Sequence, residues 1–115
     1  MREIKFRMWI DYDKKMISWN ELCQLNLQNV FRLPSNRKYL MQYTGLKDKN
    51  GVEIYEGDIV NIVLEENINI VEKAVIEYHG AGFYGVTNSD MWELDGYQYI
   101  EILGNIYDNP ELLEE

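Results

Sequence analysis

Ile4, Phe6, Met8 and Ile10 alternate with Lys5, Arg7 and Trp9, the two-residue period of a strand with one buried face. Asp11–Lys15 is a turn, and Met16–Trp19 brings the chain back, so the start reads as a β-hairpin. From Asn20 to Lys38 the pattern fades. Leu22, Leu25 and Leu27 are spaced imperfectly for a short helix, and Pro34–Lys38 is a basic, polar loop. Tyr39–Tyr43 is a short strand.

Turn signals then become dense. Asn50-Gly51 tolerates the positive φ angles of tight hairpins. Glu56-Gly57-Asp58 launches Ile59–Leu64, an apolar run rich in β-branched residues and too short for a helix. Asp58 is placed to fix its own turn by accepting backbone hydrogen bonds. Past the polar connection Glu65–Asn69, strands are predicted over 70–78, 83–87, 91–94 and 97–103, with turns at 80–82, 88–90 and 95–96. Short strands at this spacing predict a small barrel or sandwich. Gly104 marks a bend. Asn109 as N-cap, Pro110 in the first position and Glu111 at the positive end predict a short helical turn over 109–115. Leu112 and Leu113 must dock to hold it, on the barrel or else on a neighbouring subunit.

Three blocks of this pattern resemble the YopX family of small phage and prophage proteins. They are Arg2–Trp9, the long run Leu40–Val60 with Tyr-Thr-Gly-Leu-Lys-Asp at its centre, and Ile102–Leu113 with Leu-Gly-Asn-Ile-Tyr-Asp-Asn-Pro. Met8, Ile10 and Val52 depart from residues common in the family. The resemblance implies a mainly β fold: an N-terminal β-hairpin region, an SH3-like small barrel and a short C-terminal helical turn. It also implies a phage accessory role with no established biochemical activity. A soft boundary near Arg37 divides residues 1–38, the hairpin with its irregular connection, from the barrel at 39–115, unless the two form one compact unit.

Charge changes the picture when the chain is divided. Residues 1–50 carry ten Lys/Arg and five Asp/Glu, whereas residues 51–115 carry Lys73 against fifteen acids, within a formal net charge of −9. Phosphate affinity rests on counterions released at Lys and Arg, so nucleic acid is a poor partner for the whole molecule. Two minor readings survive. Arg7, Lys14, Lys15, Arg32, Arg37 and Lys38 offer phosphate contacts, and the acidic half offers a phosphate-like surface to a nucleic-acid-binding protein of the host. Solvated surface is the commoner use of such charge.

Other chemistry is thin. Because a membrane helix needs about 20 apolar residues, and no run reaches that length, no membrane role is expected. The start does not read as a signal peptide, which gives a cytoplasmic expectation. His79 lacks histidine neighbours and reads as a turn residue, and the lone Cys23 reads as a small packed residue. The Gly80–Gly82 region lacks the Gly-Lys-Ser/Thr end and the following helix of a phosphate loop. Glu53, Glu56 and Asp58, like Asp90, Glu93 and Asp95, lack calcium-loop spacing and read as solvated acidic rims. No catalytic, metal or cofactor site is therefore expected, nor an enzyme. The aromatics exceed what a small barrel core readily holds, and exposed Tyr and Trp anchor interfaces. Tyr43, Tyr55, Tyr84 and Trp92 are the candidate interaction surface. Its expected partner is a phage or host protein, or a second copy of the chain.

Overall fold

In the computed structural model both faces of the first strand are covered, where the alternation alone predicts one. The structure describes residues 3–11, 13–25, 38–63, 71–94 and 99–113. Strand β1 (Phe6–Ile10) lies between β2 (Lys15–Ile17) and β3 (Lys38–Lys47), and β4 (Glu53–Tyr55) completes a four-stranded antiparallel sheet. Met8, Ile10 and Ile17 bury their side chains together with Leu22, and Phe6 and Trp19 pack against them.

Leu22 comes from α1 (Trp19–Gln24), in the segment where the sequence pattern fades. A capping box starts this helix: Ser18 Oγ accepts from Glu21 N–H (3.2 Å), and the Glu21 carboxylate accepts from Ser18 N–H (3.4 Å). Trp19 therefore begins the helix and does not end the returning strand. Cys23 is exposed, a correction to its reading as packed, because Leu22 takes the inward face of this short helix. Leu27 and the loop at 34–37 lie outside the described residues, as does the polar connection at 65–69.

The second sheet has five antiparallel strands in the order β8 (Met91–Glu93), β7 (Gly82–Val86), β6 (Val71–His79), β5 (Asp58–Val63), β9 (Tyr99–Asn105). β5 to β8 form a meander, and β9 returns to pair with β5. The protein is thus mainly β, with an SH3-like small barrel following the N-terminal hairpin. Ile54, Val60, Ile62, Ala74, Ile76 and Ile100 form the barrel core. The pairing of β9 with β5 shifts register between Ile59 and Val60, so β9 continues through Gly104 with an irregularity, beyond the end predicted at Leu103.

The chain ends in a 3₁₀ turn (Pro110–Leu113). Pro110 opens it as predicted. The Asn109 side chain, however, reaches backwards, and its Oδ1 accepts from Asn105 N–H (3.2 Å). A Cβ on Gly104 would lie 2.5 Å from that Oδ1. The turn docks on the barrel, where Lys73 Nζ donates to the Leu112 carbonyl (2.8 Å).

β3 runs from Lys38 to Lys47, joining β1 on one side and β4 on the other. The second face of the first sheet meets the barrel through Arg7 and Trp9.

Candidate interaction site

Where the two sheets meet, the turn Glu56-Gly57 does most of the joining. Arg7 reaches across from β1. Its Nη2 donates to Asp58 Oδ1 (2.7 Å) and to the Glu56 carbonyl (3.2 Å), and its guanidinium lies 4.9 Å over the Tyr55 ring. Asp58 is 2% exposed. Its other oxygen accepts from Tyr55 N–H (2.8 Å), the turn-fixing bond expected from sequence. Burial pushes the Asp58 carboxyl above its ordinary value, while the charge of Arg7 and the Tyr55 amide pull against that rise. Lys5 Nζ meets Glu53 Oε2 at 2.7 Å and sits 5.5 Å over the Tyr43 ring. The bond to Glu53 raises the Lys5 pKa. Asp58 and the Glu56 carbonyl are therefore joints to Arg7 of the first sheet, and Glu53 ties β4 to the segment before β1 within that sheet, which corrects the reading of these acids as a solvated rim. Nothing local announces it, because Lys5 and Arg7 lie some fifty residues from Glu53 and Asp58.

The four predicted surface aromatics do not form one patch. Tyr43 and Tyr55 pack on each other with centroids 5.4 Å apart, and they are only 4% and 7% exposed. Burial, then the Glu53 charge, raises both hydroxyl pKa values, so both remain protonated phenols at neutral pH. Tyr84 and Trp92 are half-buried on the β7–β8 hairpin. Tyr84 pairs with Glu93 and Trp92 with Gly85, so alternation sends the two rings to opposite faces of the sheet.

A different set of apolar side chains converges on one place. A trough of about 330 Å³ runs between β3 and β6, with Leu40 on one wall and Tyr78 on the other. Leu40 is 57% exposed and Tyr78 is 44% exposed. Met41, Gly57 and Ile106 line it between them. Gly57 has φ +84°, and a Cβ there would stand 3.2 Å from Met41 Sδ, so glycine keeps the floor open. Tyr107, at the end of the trough, lies in a column of three rings: it stacks on Trp9 (5.6 Å) and on Tyr39 (5.1 Å). Tyr78 meets Phe83 edge-on at 4.9 Å. These rings are thus held in fixed positions by other rings. Sequence reading selected none of Tyr39, Tyr78 and Tyr107, because nothing local shows that these three residues come together.

Charge in the trough is one-sided. Glu56 and Glu77 line it, and among the described residues no Lys or Arg does so. Two other hollows are less suited to an apolar contact. One of about 510 Å³ under the C-terminal turn has polar walls and no ring. The other, about 390 Å³ beside Trp19, has cations already paired with Glu53 and Asp58. Among the described residues, no three His, Cys, Asp or Glu side chains gather as a metal ion would require, and no helix is long and apolar enough to cross a membrane. His79 is exposed at the end of β6, 2.7 Å from Glu77 Oε1.

A short hairpin sheet docked on a five-stranded barrel defines a class of small β proteins, and the comparisons place the chain within it. The family model described as YopX protein matches residues 5–114, and the chain belongs to the YopX family. It is also similar to a solved protein, EF1440 from Enterococcus faecalis, known from its crystal structure. The two share 26% identity with a TM-score of 0.72, over 99% of this chain and 100% of that one. No curated protein matches.

Proposed function

We propose that the protein is a non-enzymatic interaction module, a phage or prophage accessory protein acting in the cytoplasm of its host. The observation that carries this is the trough, where Leu40 and Tyr78 hold large apolar area in solvent above a floor fixed by the inter-sheet joint. Exposed aromatic and aliphatic side chains in a preformed hollow are the usual anchors of a protein contact. A module needs no more than such a surface on a rigid support. The nucleic-acid alternative loses part of its footing. Arg7 is committed to Asp58, Lys14 is 3.0 Å from Asp11, and Lys15 is 3.5 Å from Glu21. Arg32 and Arg37 lie outside the described residues.

The test is a nuclease-treated pull-down from host lysate with the native chain and a Leu40→Ser/Tyr78→Ser variant as paired baits. Both positions are exposed, so the variant should fold, with a loss of about 0.5 kcal/mol at Leu40 and about 0.5–1.5 kcal/mol from the Tyr78–Phe83 ring contact. The expected result is a protein captured by the native bait after nuclease treatment and lost by the variant. Equal capture by both baits, or capture of nucleic acid alone, would refute the reading.

A further inference from the structure

The trough is bounded by two strand edges whose backbone groups have no strand beside them among the described residues. Along β3 the odd residues bond to β1: Tyr43 N–H donates to the Lys5 carbonyl (2.9 Å). The even residues face the other way. Glu56 N–H donates to the Gln42 carbonyl (3.0 Å), and Gln42 N–H donates to Glu56 Oε1 (2.8 Å). By the alternation of an antiparallel strand, Leu40 N–H and C=O point in the same direction as those of Gln42. The Glu56-Gly57 turn serves Gln42 and does not reach back to Leu40.

The opposite wall repeats the arrangement. Gly57 N–H donates to the Ile76 carbonyl (2.8 Å), so even residues of β6 turn their backbone toward the trough side. The β5–β6 pairing begins only at Ile59↔Val75. Tyr78, two residues beyond Ile76, therefore has its N–H and C=O on the open side, with no strand there among the described residues. The residues with open backbone, Leu40 and Tyr78, are also those with the most exposed apolar side chains in the trough. An exposed edge beside apolar side chains is a template for one more strand.

Charge selects the occupant. Glu77, 42% exposed and 2.7 Å from His79 Nε2, lines the hollow with Glu56, and no Lys or Arg does so among the described residues. Resting on the interaction-module reading, we propose that the trough takes an extended segment of a partner protein. That segment adds as a strand to the edge at Leu40 or Tyr78 and alternates apolar side chains with lysine or arginine. Apolar residues fill the hollow above Met41 and Ile106 beside the Tyr78 ring, and the cations lie against the glutamates that line it. Main-chain bonds supply affinity with little sequence dependence, and the glutamates supply the preference for basic segments.

The experiment is selection of a displayed library of random ten-residue peptides on the full-length protein, followed by titration of the enriched peptides as synthetic material. Enriched peptides should combine Lys or Arg with Val, Leu, Ile or aromatic residues at alternate positions. Their binding should weaken about two- to fivefold in Glu77→Gln, the range of a solvent-exposed ion pair, and vanish in Leu40→Ser/Tyr78→Ser. N-methylation at one of two alternating peptide amides should abolish binding, which a side-chain contact alone would survive. Enriched peptides that are neutral or acidic, yet still lost in the double variant, would overturn the cationic strand while leaving the module reading in place. Peptides that bind the double variant equally well, or no enrichment at all, would overturn the proposed occupant. So would a homodimer that the double variant dissociates, because the occupant would then be a second copy.

Discussion

Two buried carboxyls decide how single residues respond to pH, and they act with opposite signs. Asp58 is raised by burial, so ionising it costs the folded state. Its contribution is greatest at acid pH and falls as pH rises from the unfolded value near 3.8 through its folded value. For Asp48 burial also opposes the charge, but it is outweighed. Amides of Val52 (3.0 Å), Ile102 (3.2 Å) and Asn50 (2.8 Å) donate to its two oxygens, and its pKa is lowered from 3.8. A lowered carboxyl stabilises the fold above its unfolded pKa, and that stability is lost as pH falls through the folded value. Comparing urea unfolding of the native chain and Asp48→Asn from pH 6 to pH 2 isolates this group. The native chain should lose its advantage over the variant below about pH 4. Parallel pH curves for the two would mean that the three amides do not hold a carboxylate.

Single elements depend on small spaces as much as on bonds. Gly104 allows the Asn109 side chain to lie on β9, and a Cβ at 104 would stand 2.5–2.9 Å from three Asn109 atoms. Gly104→Ala should therefore push away the C-terminal turn at a cost of about 1–3 kcal/mol, the range for overpacking. Gly104→Ala/Asn109→Gly should recover part of that loss, measured as a non-additive term in a double-mutant cycle. Strict additivity would refute the contact. Sequence legibility divides along the same line. The strands of the meander, the turn at 80–82 and Pro110 were readable, because period, β-branching and turn chemistry are local. Helix α1 was missed although Ser18 and Glu21 spell a capping box, because weak leucine spacing masked the cap. The trough was not readable at all. Leu40, Tyr78 and Tyr107 come together only through pairing between residues far apart in the chain, and pattern along the chain carries no record of that.

At the scale of the whole molecule, the question is whether hairpin sheet and barrel are two units or one. β3 belongs to the first sheet from Lys38 and pairs with β4 at Tyr43 and Lys47, leading directly into the barrel. The face between the sheets holds the Arg7–Asp58 pair and the Trp9–Tyr107–Tyr39 column. Removing one partner of a buried ion pair costs about 3–5 kcal/mol, a large share of the roughly 5–15 kcal/mol that stabilises a typical domain. Each sheet should then depend on the other, and unfolding should be one cooperative event. The three tryptophans report on separate places. Trp19 lies on α1, Trp9 at the face between the sheets, and Trp92 in the barrel. Three variants, each keeping one tryptophan and carrying phenylalanine at the other two positions, should each show one denaturant transition by fluorescence that coincides with its own far-ultraviolet circular dichroism. Asp58→Ala, introduced into the Trp19 and Trp92 variants, should shift both midpoints downward together. A Trp92 transition that stays in place while the Trp19 transition moves would show that the barrel stands alone, and that the joint beneath the trough is not part of its stability.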